Sequence, residues 1–496
     1  MMRPMIRPTR RALLGALAVP LVARGAAAQA PLAVTTAAGT VQGVREGEAR
    51  VFRGVPFAAP PIGKLRFRPP APPEPWLGVR PVRDFGPAPV QPPGPAVAGL
   101  PTSEDCLYLN IWAPAEGAGH PVFVWLHGGG NQAGTTRAPV FDGTPFAANG
   151  VVCVTVGYRL GAFGFLDLGS VLGAGYAGSG CNGLRDQAAS LVWVRDNIAA
   201  FGGDPARVTL AGQSAGAKDV CSLLGAPTAV GLFQRAIIES GSAQTVFTAE
   251  EGAGVARQFA AALGTDPLAA SAERVLAAEM AVLEDPPIDW PFRPVIDGAF
   301  LPRRPLETIA AGGAKAVTLL LGSNADEAVL FIPAAAAAAR ARTPAEVSNM
   351  KRGDFAALEP TYARALSDLS LAERHWRMLT AEEYWVPTLR VAEAQVAAGG
   401  TAWMYRYDLP ATDGTYPGHA VHAGELASVW RRPGAALPAL HDAWVRFIGG
   451  APPGAAGLPE WPKFDTARRQ TMILDAAPHV ADDPRGAERR IWAGVL

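Results

Sequence analysis

The sequence predicts an α/β fold in which one large sheet is covered by helices on both faces, and three observations carry that expectation. Segments of strand and helix character alternate, from "VVCVTVGY" through "GLRDQAASLVWVRDNIAAFGG" and "RVTLAG" to "SAGAKDVCSLL". The strand segments are almost continuously apolar, as strands buried on both faces must be. The chain has 496 residues, 49% of them hydrophobic and 18% charged, enough to bury a large core without a disulfide scaffold.

Taken in order, "GTVQGV" and "ARVFRGV" flank a turn and read as a hairpin. The Pro-rich stretch from Pro56 to Trp76 lacks the donors a central strand needs, so it is expected to wrap the surface or rim a cleft. "LYLNIWA", "PVFVWLH" and "VVCVTVGY" follow as strands. In the next segment Leu191, Trp193, Val194 and Ile198 fall at helical spacing before a glycine stop. From about residue 250 to 400 the pattern reads as mainly helical, with an Ala-rich run at Ala334 to Ala339 and a long helix from Leu371 to Ala398. This part is expected to cap a cleft. Glycines (55) and prolines (46) are spread along the whole chain, which fits many loops between regular elements, and no repeat or linker divides residues 31–496.

Residues 1–30 read differently. A basic start, an apolar stretch from Ala12 to Ala23 and the small-residue ending Ala28-Gln29-Ala30 have the layout of a cleaved export signal. Arg10 and Arg11 resemble a twin-arginine signal, with Leu13 where that motif prefers Phe, and a Sec signal is the rival. The apolar stretch falls short of the roughly 20 residues that span a bilayer. A periplasmic or secreted protein is expected.

Lys plus Arg equals Asp plus Glu, 44 of each, so charge gives no case for binding nucleic acid or anionic lipid, and small, mostly uncharged partners are expected. Cys106, Cys153, Cys181 and Cys221 form no CxxC pair; Cys153 reads as a buried small hydrophobe, and a Cys181–Cys221 bridge is conceivable but unsupported. His419 and His422 would share a helix face, yet no carboxylate or cysteine set accompanies them at ligand spacing, and neither a metal nor a cofactor is expected.

Chemistry concentrates in Gly212-Gln213-Ser214-Ala215-Gly216. This GxSxG pattern between a strand and a helix sets a serine on a tight turn, where glycines allow close backbone approach. The pattern alone is a weak signal; its strand and helix flanks give it weight. A hydroxyl needs a base to take its proton and donors to hold the oxyanion formed on attack. The glycines of "WLHGGGN" and the N–H of Ala215 are candidate donors.

At these residues the chain resembles the type B carboxylesterase and cholinesterase family of α/β-hydrolases. Ordered blocks such as "RGVPFAAPPIGKLRFRPP", "SEDCLYLNIWAP", "GYRLGAFGFL", "FQRAIIESGS", "GSNADEA" and "HAVHAGELASVW" extend the likeness over most of residues 31–496. The resemblance implies a large, mostly parallel mixed sheet flanked by helices, with helical insertions capping the active site. It makes Ser214 the nucleophile, His422 the base and Glu327 the acid, with Gly129, Gly130 and Ala215 as oxyanion donors. Asp326 and His419 are the neighbouring rivals, and His127 is expected to support the glycine turn.

Four departures from the family pattern stand out. Gln213 replaces the usual Glu, removing a charge worth on the order of 3 kcal/mol at most to an imidazolium about 6 Å away; activity is expected to extend to lower pH. Cys106 has no earlier cysteine to pair with. The segment between Trp76 and Cys106 lacks the tryptophan that would bind a quaternary ammonium, and Asn131 stands where an aromatic residue is usual. The reaction implied is hydrolysis of neutral, small to medium carboxylic esters with water as second substrate. Amide or carbamate hydrolysis by the same residues and a non-catalytic binding role are the alternatives.

Overall fold

The computed structural model describes residues 32–284, 290–332, 352–412 and 416–495. The proposed export signal and the run Ala334 to Ala339 lie outside the described residues. A 13-stranded sheet runs through the molecule. Its centre is parallel: Val152–Val156, His120–Leu126, Gly203–Gln213, Arg235–Glu239, Thr318–Asn324, Ala402–Tyr407 and Thr471–Leu474 lie side by side in that order. Antiparallel strands close both flanks, including the expected hairpin of Gly39–Glu46 with Ala49–Pro56.

The order places the site. His120–Leu126 has Val152–Val156 on one side and Gly203–Gln213 on the other, so the chain steps one way out of it and then crosses back past it. The carboxyl ends of strands at such a reversal form a crevice, the common ligand position in open α/β sheets. Leu126 pairs with Gly212, which brings the glycine turn beside the serine turn.

Alternate side chains of His120–Leu126 enter two cores. Val122, Val124 and Leu126 pack with Leu184, Leu191 and Val194 of the helix Asn182–Asn197 on one face. Phe123 and Trp125 pack on the other with Trp430, Trp444 and Phe447, the last two from the helix Ala439–Ile448. Helices on both faces account for the unbroken apolar strands.

The long helix expected from Leu371 to Ala398 is present with a difference. Leu371–Thr380 and Val386–Ala397 are joined by a π turn, Ala381–Trp385, which swings Tyr384 into the cleft. The mainly helical reading of residues 250 to 400 needs one correction, because Thr318–Asn324 is a central strand. All four cysteines are buried and free, so no Cys181–Cys221 bridge forms. Among the described residues no helix is long and apolar enough to cross a membrane.

One buried acid makes stability depend on pH. Glu279, fully buried on the helix Ala272–Glu284, accepts from Ala162 N at 2.9 Å, and burial pushes its carboxyl up to about 8 from an ordinary 4.5. Between those values the folded chain holds a proton that the unfolded chain releases, so this contribution falls as pH rises through the window. Glu279→Gln is expected to raise the melting temperature at pH 8 by roughly 2 to 4 °C and to change it much less at pH 5. Equal shifts at both pH values in paired thermal melts would reject this account.

Candidate active site

Ser214 lies between the strand Gly203–Gln213 and the helix Ala215–Leu224 with φ 58° and ψ −125°, a region that non-glycine residues rarely occupy. Its N–H donates to Glu239 O at 2.9 Å, which holds the turn against the neighbouring strand. The flanking glycines are required by space: a Cβ on Gly216 would sit 2.2 Å from Leu126 O, and one on Gly212 would sit 2.5 Å from the carbonyl carbon of Gly216.

The glycine turn is equally constrained. Gly129 has φ 122°, and a Cβ there would lie 1.9 Å from Ala133 O. Among the described residues no acceptor engages the N–H groups of Gly129, Gly130 or Ala215, and all three residues line the cavity that Ser214 enters. His127 is a support, as expected. Its ring stacks on Tyr158, whose hydroxyl donates to His127 O at 2.6 Å, and burial pushes its imidazole down to about 4.

Glu327 follows the strand Thr318–Asn324 and is fully buried. Its Oε2 lies 2.5 Å from His422 Nδ1, while Oε1 accepts from Ser240 Oγ at 2.6 Å and from Asn324 N at 2.7 Å. The rivals are occupied with each other, since His419 Nδ1 lies 3.6 Å from Asp326 Oδ2. His419 and His422 do not share a helix; both lie in the connection before Leu426–Val429. Phe331 and Tyr384 pack against the His422 ring, with centroids 5.0 and 4.9 Å away.

The structure therefore joins His422 to the buried Glu327 and brings His422 into one cavity with Ser214, but no hydrogen bond links Ser214 Oγ to the imidazole. His422 Nε2 instead accepts from Gln213 Nε2 at 3.2 Å. The cavity, about 450 Å³, is walled mainly by Phe141, Trp290, Phe292, Leu330, Phe331 and Tyr384. Of its cations, Lys218 pairs with Glu383, and Arg293 donates to Trp290 O at 2.8 Å while lying over the Phe247 ring.

The Carboxylesterase family matches residues 30–492. The chain belongs to the carboxylesterase family. It is 36% identical over 494 residues to the para-nitrobenzyl esterase of Bacillus subtilis (strain 168), covering 92% of this chain and 97% of that protein. It is 34% identical over 500 residues to the phenmedipham hydrolase of Pseudarthrobacter oxydans, covering 91% and 97%. A solved PNB esterase superimposes with a TM-score of 0.81 at 35% identity, covering 92% of this chain and 99% of that one. A carboxylesterase of Geobacillus stearothermophilus gives 0.82 at 36%, covering 93% and 99%. The fold is the α/β-hydrolase fold, and the protein is a carboxylic ester hydrolase.

This carboxylesterase also holds site residues to which the sequence attached no role. Ser240, itself at φ 55°, is the second holder of Glu327. Gln91 clamps Gly134 from both sides, its Nε2 donating to Gly134 O and its Oε1 accepting from Gly134 N, each at 2.8 Å. Behind Glu327, Glu425 accepts from Asn324 Nδ2 at 2.6 Å; burial, with Glu327 adding like charge, pushes it up to about 7.

Proposed function

We propose that this carboxylesterase cleaves neutral, small to medium esters through an acyl-enzyme on Ser214. His422 Nε2 takes the Ser214 proton as Oγ attacks the ester carbon, and it returns that proton to the leaving alcohol. Water then attacks the acyl-enzyme by the same route in reverse. Glu327 keeps the His422 proton on Nδ1 and balances the imidazolium charge. Gly129, Gly130 and Ala215 hold the oxyanion through backbone N–H groups.

The bond of 2.5 Å between His422 Nδ1 and Glu327 Oε2, beside a cavity that Ser214 also lines, is the observation that supports this reading most. The apolar walls fit neutral acyl and alcohol groups, and a cavity of about 450 Å³ suits small to medium ones. A panel of p-nitrophenyl esters from acetate to palmitate tests the substrate class, with kcat/KM expected to peak at short to medium chains. A maximum at palmitate would reject it. The likeness to phenmedipham hydrolase makes an aryl carbamate worth adding to the panel.

Gln213 sets a second expectation. Its amide donates to the Nε2 lone pair that the mechanism requires, and a carboxylate in its place would favour the protonated ring instead. Gln213→Glu is therefore expected to move the acid limb of kcat/KM upward by about one pH unit. An acid limb that stays put would reject a charge effect at this position.

We also propose that residues 1–30 are a cleaved export signal, of twin-arginine or Sec type, and that residues 31–496 are the single catalytic domain. The protein would then act in the periplasm or outside the cell. N-terminal sequencing of the exported protein tests this, and an intact Met1 would reject it.

A further inference from the structure

The oxyanion donors proposed above come from two separately anchored pieces. Gly129 and Gly130 lie in the turn that follows His120–Leu126, whereas Ala215 opens the helix Ala215–Leu224. All three N–H groups must reach one oxygen at about 2.7 to 3.1 Å, so the distance between the two pieces has to be held closely. Pairing of Leu126 with Gly212 fixes the strands, but the turn leaves the sheet after that point.

Most of what holds the turn ties it to the rest of the scaffold. Tyr158 Oη donates to His127 O, Gln91 clamps Gly134, and Gly161 N donates to Asn131 O at 2.7 Å. Among the described residues, one hydrogen bond runs from the turn to the nucleophile helix: Asn131 Nδ2 donates to Asp219 Oδ1 at 3.1 Å. Asp219 stands one helical turn beyond Ala215. Its other oxygen accepts from Gln187 Nε2 at 2.6 Å, which anchors it to the helix Asn182–Asn197.

We propose that Asn131 and Asp219 are a positioning pair that sets the spacing between the two halves of the oxyanion hole. This rests on the donor assignment made under the proposed function. Asp219 and Gln187 are fully buried and Asn131 is 5% exposed, so little solvent competes for these bonds. Asn131 sits at φ 58°, a left-handed conformation that asparagine tolerates better than most residues. Asp219 is a buried acid held by two amides, with no cation bonded to it among the described residues, and burial raises its carboxyl to about 7. Such a group is costly to keep in a core where an apolar side chain would pack without penalty. The same residue that departs from the usual aromatic at 131 thus supplies a tie that a phenyl ring has no donor to make.

A misplaced donor weakens binding of the transition state more than binding of the substrate, so the loss should fall on kcat. Asn131→Ala and Asp219→Leu are each expected to lower kcat roughly 10- to 100-fold with KM within about threefold, less than removal of a whole donor. The double variant should be no worse than the poorer single, because each single already removes the shared Asn131–Asp219 bond. Asp219→Asn should keep most of the rate: its single oxygen can still accept from Asn131, and its new NH₂ group can donate to Oε1 of a turned Gln187 amide. Affinity for a trifluoromethyl ketone, whose adduct with serine carries the oxyanion, should fall in step with kcat/KM.

Losses that multiply in the double variant, singles within twofold of wild type, or losses confined to KM would each overturn the proposal. If Asp219→Leu fails to fold by circular dichroism, Asn131→Ala and Asp219→Asn carry the test. A wild-type enzyme that hydrolyses esters yet forms no trifluoromethyl ketone adduct would instead overturn the donor assignment, which separates the two failures.

Discussion

Replacing Ser214 by alanine is expected to lower kcat for p-nitrophenyl esters by about 10⁵-fold or more, with the fold unchanged. The size follows from what is lost. Without Oγ no acyl-enzyme forms, and catalysis reverts to water attack assisted only by binding and the N–H groups of Gly129, Gly130 and Ala215. A loss of that order corresponds to about 7 kcal/mol of barrier. The fold should tolerate the change, because Ser214 Oγ makes no hydrogen bond to His422 here and the turn is held by the Ser214 N–H to Glu239 O at 2.9 Å. The strained φ of 58° remains a cost for alanine, yet the neighbouring glycines absorb the tight contacts that shape the turn. An organophosphonate should add its mass at Ser214 in the wild type and nowhere in the variant. Retention of more than about a thousandth of the activity, with contamination excluded by the labelling result, would rule out Ser214 as the nucleophile.

The parts of this enzyme that were legible in the sequence are those set by local geometry. Gly212 and Ser214 obey a constraint that operates within five residues, since a side chain at Gly212 collides with the backbone of Gly216, while Gly216 itself is held to glycine by Leu126 O on the neighbouring strand. A local constraint also holds Gly129, and the helix Asn182–Asn197 declared itself through spacing and its glycine stop. Thr318–Asn324 did not, because a short apolar run such as "TLLLGSN" has no period that separates a buried strand from a helix segment. Glu327 and His422 were found only through resemblance: they lie 95 positions apart and meet because two strands present their ends to one crevice. Ser240, Gln91 and Asp219 gave no signal, and Asn131 stood out only as a departure from the family pattern with no partner to explain it. Each works through one partner far along the chain, 87 positions away for Ser240 and 88 for Asn131, and nothing in a local window encodes such a pairing.

That partnering also decides what happens when Glu327 is changed to glutamine. The Oε1 position accepts two hydrogen bonds, from Asn324 N at 2.7 Å and Ser240 Oγ at 2.6 Å. The backbone donor cannot turn away, so the side-chain amide must place its single oxygen there. Its NH₂ group then faces His422 Nδ1 and becomes the donor. The imidazole is forced to carry its proton on Nε2, where the mechanism needs a lone pair for the Ser214 proton. Glu327→Gln is therefore expected to lower kcat by about 10⁴-fold with little change in KM, and to fold normally, because the variant buries an amide in place of a carboxylate with its donors satisfied. Adding Ser240→Ala should relieve little of this loss, since Asn324 N still demands the oxygen. ¹⁵N shifts of the His422 ring would show the tautomer directly, with Nδ1 protonated in the wild type and Nε2 in the variant. A variant within tenfold of wild-type kcat, or one whose ring keeps its Nδ1 proton, would mean that Glu327 does not set the state of the base.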